Sequence, residues 1–391
     1  MAPKESDYLE IAQQRAIEKK THVSFPQLKY PSLRDEGLRD SMQWLTGKAI
    51  DDGAEGLWRV HDKLYDLDTF INKHPGGSEW LQLTKGTDIT EAFEVHHLNP
   101  STVKVLEKFY KRDAKTPRNS PFTFKDDGFY RTLKNKVWEE IQKIPNKESI
   151  RTSFICDSLL FTCLVSSTIT CWAKDYWIVM LSYIVASVSM AWVMVAAHNY
   201  IHKRTNWRMY LFNIGLWSYR FSRNFTHPGF FTQHYRWHDG LGFLLPVWMY
   251  ITGGATFYDT LTMWLWINCS ASFVFFTIAS NAAHHHPNIF KDGDEVSDVN
   301  PDWGMHEVEA VMDRRDINGS HFRVMTFFGH HALHHLFPIL DHAVLEHLYP
   351  LFLENCEKYR ANFRTTSQFD MIIGQIQMTL KTRPTLLSER K

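Results

Sequence analysis

Residues 62–80 read DKLYDLDTFINKHPGGSEW, and residues 86–97 read GTDITEAFEVHH. In the first stretch His74 is followed at once by Pro75, Gly76 and Gly77. Proline fixes the backbone leaving the histidine, and the glycines let the chain turn tightly beside a flat ligand. His97 comes four residues after Phe93, so two imidazoles can approach one metal from opposite faces. Leu57, Tyr65, Phe70, Leu81, Ile89 and Phe93 supply apolar walls for a macrocycle. His96 is the alternative to His97. A turn histidine beside an unrelated surface histidine is the plainer explanation of the pair.

Across residues 44–100 the pattern DxLYDLxxFxxxHPGG followed by GxDxTxAFxxxH closely resembles the cytochrome b5 family, without an evident gap. The resemblance implies haem b held by His74 and His97 and one-electron transfer. Iron with two axial histidines keeps no open position, so such a domain carries electrons and does not activate oxygen. Asp62, Asp66, Asp88, Glu91 and Glu94 offer a docking face for a flavin-dependent cytochrome b5 reductase, or are solvated loop charges.

Lysine plus arginine (43) balances aspartate plus glutamate (43), so bulk charge argues for neither nucleic-acid binding nor an acidic substrate. The 21 histidines are a reason to look for metal. Five cysteines contain no CxxC pair, and four lie in apolar stretches as small hydrophobes. The first 20 residues have no apolar core of a cleaved signal peptide.

The expected organisation is an N-terminal arm over 1–40, the haem domain over 41–112, a linker over 113–152, a membrane domain over 153–365 and a tail over 366–391. The arm is expected to be a short helix or disordered. Inside the linker, FYRTLKNKVWEEI reads as amphipathic. Uncharged runs predict spans near 154–173, 176–197, 240–258 and 260–283, because a bilayer core of about 30 Å needs about 20 apolar residues of helix. Pro246 and Gly253-Gly254 weaken the third, for which a membrane-surface segment is the rival. Arg131, Lys134, Lys136, Lys143, Lys147 and Arg151 precede the first span, and Lys203, Arg204 and Arg208 follow the second. Positive charge stays inside, so both termini are expected in the cytosol.

Histidines cluster after the spans: His198 and His202 in HNYIH, His284, His285 and His286 in AHHHP, and His331, His334 and His335 in GHHALHHLFP. Spacings of three and four put histidines on one helical face, able to grip one metal. Imidazoles suit iron or zinc better than calcium. An HxxxH after a membrane hairpin and a late HxxHH resemble the histidine boxes of membrane fatty-acid desaturases and hydroxylases. With the haem domain in front, and through DINGSHFRVMTFFGHHALHHLFPILDH, the match is closer still to the insect cytochrome b5-related proteins. The resemblance implies an α+β cytochrome b5-like haem domain followed by an all-α multi-pass membrane domain of fatty-acid desaturase type. It also implies the endoplasmic reticulum, a lipid acyl substrate, and two non-haem irons held by the clustered histidines.

The middle box of that family is HxxHH, whereas this chain reads NFTHPGFFTQHYRWHDGLGF, keeping His227 beside Pro228 and offering His234 and His238 instead. Two readings therefore stand. One is oxygen-dependent desaturation or hydroxylation of a lipid acyl chain. The other is a haem electron-transfer protein whose degenerate membrane domain lacks a working di-iron site. Zinc or a structural role for the histidines is a further alternative.

Overall fold

A computed structural model of the chain describes residues 24, 25, 28, 41–145, 147–202, 206–215, 237–291 and 293–389. The expectation for the first 30 residues falls outside these, apart from Ser24, Phe25 and Leu28. Phe25 is buried against Phe122, Phe290 and His306.

The haem domain begins with helix α1 (Ser41–Asp51) and hairpin β1 (Trp58–Val60) and β2 (Lys63–Tyr65), which is extended by β3 (Tyr110–Asp113) into one antiparallel sheet. Between β2 and β3 lie three short helices, α2 (Ser78–Leu83), α3 (Thr90–His96) and α4 (Ser101–Leu106). Trp58, Val60, Tyr65, Leu67, Leu81, Phe93 and Leu106 form its core, drawing the sheet and helices around one apolar centre.

The expected linker is not a free connector. Its amphipathic stretch is helix α5 (Phe129–Ile141), and Phe129, Tyr130, Leu133 and Val137 are fully buried along one face. Helices α6 (Glu148–Trp172) and α7 (Tyr176–Ile201) then form a hairpin. The Asp175 carboxylate caps α7 by accepting from the amides of Trp177 and Ile178. At 25 and 26 residues both exceed bilayer thickness. Phe154, Phe161, Trp172, Tyr176 and Trp177 point outward, an exposed apolar surface that suits lipid and not water.

Among the described residues three helices are long and apolar enough to cross a membrane: α6, α7 and the later α9 (Phe257–Ser280). The third of the four expected spans is shorter. Helix α8 (Leu244–Gly253) has ten residues, about 15 Å of rise, half a bilayer. Pro246 sits harmlessly in its first turn, while Gly254, at φ 67°, ends it in the left-handed region. Gly253 lies so close to α6 that a side chain there would overlap Cys171.

After α9 the chain continues with α10 (Trp303–Glu309), strand β4 (Asp313–Arg314), α11 (His321–Phe327), α12 (His331–Leu336) and α13 (His342–Tyr359). Strand β5 (Thr365–Thr366) pairs in parallel with β4. The expected tail contains α14 (Gln368–Thr379), whose Met371 packs with Ile289 and Met312. One core joins Phe129, Tyr130 and Leu133 of α5, Trp303 of α10, Leu333 and Leu336 of α12 and Leu345 of α13 to Val95 and Leu98 of the haem domain. The two halves thus share buried apolar surface.

Candidate functional site

A 3-10 turn, Ile71–Lys73, delivers His74 in extended backbone, and Gly77 takes φ 92° immediately after. A Cβ on Gly76 would stand 2.9 Å from His74 Cε1, so glycine is what lets the chain pass the imidazole. His74 Nδ1 lies 2.9 Å from the Gly77 carbonyl, and His97 Nδ1 lies 2.9 Å from that of Phe93. Carbonyls only accept, so both Nδ1 atoms donate and both Nε2 lone pairs stay available for a metal. The two ring centroids are 6.1 Å apart. Two metal–nitrogen bonds of about 2 Å, plus the ring radii, span about that distance, so the pair fits a bis-histidine haem. Burial pushes the His97 imidazole down to about 4, keeping it neutral and able to ligate. His96 makes the same kind of bond, Nδ1 to the Ala92 carbonyl at 3.0 Å, and it is the ring of His97 that pairs with His74. Phe70, Leu81, Ile89 and Phe93 line the crevice as expected. Tyr65 lies in the core beneath, and Leu57 does not line the crevice.

The later histidines assemble into two groups of three. His198 and His202, at the end of α7, meet His334 of α12, and His284 meets His331 and His335. Within each group the ligand nitrogens lie within 4.8 Å of one another. Helix α12 serves both groups: positions four apart face one, and the position between them faces the other. Nε2 of His198 and His202 are 3.3 Å apart, and Nε2 of His284 and His331 are 2.9 Å apart. These are the separations of neighbouring ligands on one metal with bonds of about 2.0–2.1 Å. His198 Nδ1 and His334 Nδ1 are buried without a protein partner. Burial pushes His202 and His284 down to about 4, and His331 and His334 well below the usual histidine range. Neutral imidazoles are the form that binds metal. Glu307 Oε2 lies 3.0 Å from His335 Nδ1 and orients its ring.

His285 and His286, expected among the ligands, stand apart from both groups. His285 Nδ1 bonds to the Ser280 carbonyl at 2.9 Å, and His286 Nδ1 accepts the Asn288 amide at 3.2 Å. His227 and His234 lie outside the described residues. His238 faces the haem side, its Nδ1 3.0 Å from Asn213 Nδ2. Sequence reasoning missed His342, which stacks on His334 at 4.8 Å and meets Asn199 Oδ1 through Nδ1 at 2.7 Å. The signal available was Asn199 itself, beside His198.

Three acidic residues expected to face a reductase are used internally. Arg118 bonds Asp88 at 2.7 Å and Glu91 at 2.6 Å, while Arg131, His61 and Lys134 surround Glu94.

A family profile described as "Cytochrome b5-like Heme/Steroid binding domain" matches residues 46–115. The "Cytochrome b5-related protein" of Drosophila melanogaster is 35% identical over 419 residues, covering 91% of this chain and 95% of that one. The chain belongs to the cytochrome b5-related protein family. The Drosophila virilis member is 46% identical over 131 residues, 34% of this chain and 91% of its own. Beyond the family, "Probable Delta(5) fatty acid desaturase C" of Dictyostelium discoideum is 31% identical over 132 residues, 34% of this chain and 26% of its own. No solved structure matches the chain. A cytochrome b5-like haem-binding domain therefore precedes a mostly helical region, and the three apolar helices among the described residues, with the chain's likeness to desaturases, point to membrane association.

Proposed function

We propose that this chain is a membrane oxidoreductase that draws electrons through haem b, held by His74 and His97, for oxygen-dependent desaturation or hydroxylation of a lipid acyl chain. The observation that carries this is the pair of adjacent three-histidine groups, with His331 and His334 rings 6.4 Å apart. Haem supplies one-electron transfer, and two irons held by the six histidines supply oxygen activation. The chain's own part is to keep those imidazoles neutral by burial, to fix the His335 ring through Glu307, and to wall the centre with Phe328, Ala279 and Ala282 against water. A flavin-dependent cytochrome b5 reductase is the fitting electron donor. The basic residues before α6 and after α7 support a cytosolic N-terminus, the core that α5 shares with α12 and α13 supports the C-terminal half on the same side, and the family resemblance supports the endoplasmic reticulum.

A second reading is favoured by the sequence between 218 and 240, which lacks an HxxHH: a haem electron carrier whose membrane domain holds no working di-iron site. Total iron and zinc per haem in the detergent-purified chain separates the two. About three irons per haem, one in the haem and one per histidine group, supports the oxidoreductase. One iron per haem without zinc, resisting iron reconstitution, sinks it in favour of the carrier.

A further inference from the structure

The haem crevice does not end at the haem domain. A single cavity of about 890 Å³ runs from His74 and His97 into the membrane half, where Met209, Tyr210, Phe212 and Asn213 close its far side. These four lie on the 3-10 segment Trp207–Asn213, directly after α7. That segment is itself held: Asn206 caps it by accepting from the Arg208 amide, and the Arg208 guanidinium bonds Asp157 of α6 through Nε at 2.7 Å. His238 joins the same wall, its ring 5.0 Å from that of Tyr210. Four residues, Ala92, His96, His202 and Phe212, line both this cavity and a second one of about 480 Å³ that holds the histidine groups.

We propose that the haem site of this chain is built by both halves of the molecule, with Met209, Tyr210, Asn213 and His238 packing on the haem edge that a free cytochrome b5-like domain leaves to water. The proposal rests on haem ligation by His74 and His97. Its chemistry follows from the wall. Met209, Tyr210 and Phe212 give the wall apolar surface, and the Asn213–His238 pair adds polar atoms to it. Shielding haem from water favours the less charged ferrous state, so the wall raises the reduction potential. It also slows haem escape, because the crevice mouth opens onto protein.

The test uses the full-length haem-loaded chain in detergent. Haem transfer to excess apomyoglobin and the midpoint potential are measured for the wild type, Tyr210→Ala and Asn213→Ala. The expected result is haem loss faster by about tenfold, equivalent to about 1.4 kcal/mol, and a potential moved negative, with the bis-histidine bands unchanged. Rates and potentials equal to wild type in both variants overturn the two-domain site. A measurement on the unaltered chain guards against misfolded variants. Hydrogen exchange of 206–215 should slow on haem loading, and identical exchange with and without haem overturns the proposal equally. If the wild type shows no low-spin bis-histidine spectrum at all, the haem reading itself has failed, and the wall proposal falls with it.

Discussion

Lys134 of α5 sets its Nζ 2.8 Å from the Glu94 carboxylate and 2.6 Å from the Glu94 main-chain carbonyl. The same carbonyl accepts from the Tyr130 hydroxyl at 3.2 Å, and that hydroxyl lies 3.3 Å from the carbonyl of Leu336, at the end of the last histidine box. Helix α5 thereby ties α3, which leads into His97, to α12.

Removing one partner of a buried ion pair leaves the other charge uncompensated, at a cost of about 3–5 kcal/mol. Glu94→Ala should therefore lower the melting temperature of the full chain and open the interface between its halves, read as faster exchange in residues 90–98 and 129–137. Unchanged exchange in both segments would contradict the tie.

The same carboxylate predicts a pH dependence. Burial pushes the Glu94 carboxyl up, but hydrogen bonds from His61, Lys134 and Arg131 and the Lys134 charge overcome this and hold it well below the usual carboxylate range. A carboxyl depressed in the folded state stabilises fully above its unfolded value of 4.5 and loses that contribution as pH falls through its folded value. The wild type should lose stability below pH 4.5 by more than Glu94→Gln does. Parallel stability curves from pH 6 to pH 3 would refute this.

How much of this was legible in the sequence depends on the range of each contact. The haem crevice was, because HPGG and AFxxxH are local and glycine at 76 is demanded by the adjacent imidazole. The α6–α7 hairpin was, because uncharged runs with a polar turn need no tertiary information. Helix α8 was the doubtful span, and its length and the left-handed Gly254 end it at half a bilayer. The sorting of histidines was hidden: only the fold reveals that His334 faces α7 while His331 and His335 face His284. The acidic residues misled because Arg118, Arg131 and Lys134 return from the supposed linker to pair with them.

The haem ligands are distinguished by substitution. His74→Ala and His97→Ala should each abolish the bis-histidine absorbance of the purified chain. His96→Ala should retain it, because the ring paired with His74 is that of His97. A spectrum lost in His96→Ala and kept in His97→Ala would reverse the assignment.

Metal content should follow the two groups. His334→Ala should lose metal from the His198 group, His331→Ala from the His284 group, and His285→Ala from neither. Glu307→Gln, which weakens the partner of His335, should reduce metal affinity by about 10–100-fold. Equal metal loss in His285→Ala and His331→Ala would undo the grouping.

The close approach of α8 to α6 predicts an asymmetry between neighbouring glycines. A side chain at Gly253 overlaps Cys171, whereas one at Gly254 meets open space but must adopt φ 67°. Gly253→Val should cost about 1–3 kcal/mol through overpacking, and Gly254→Ala about 1–2 kcal/mol through backbone strain. Thermal melts in detergent test both; a wild-type melt for Gly253→Val would mean the helices do not touch there.

Because α5 holds both α3 and the last histidine box, any electron passed between them would stay within a single molecule. Such a transfer would be first order, so dilution would leave its rate alone. Under the oxidoreductase reading, the step from haem to the histidine groups would be paced by how well the chain is folded, while delivery from the reductase would still depend on two proteins meeting.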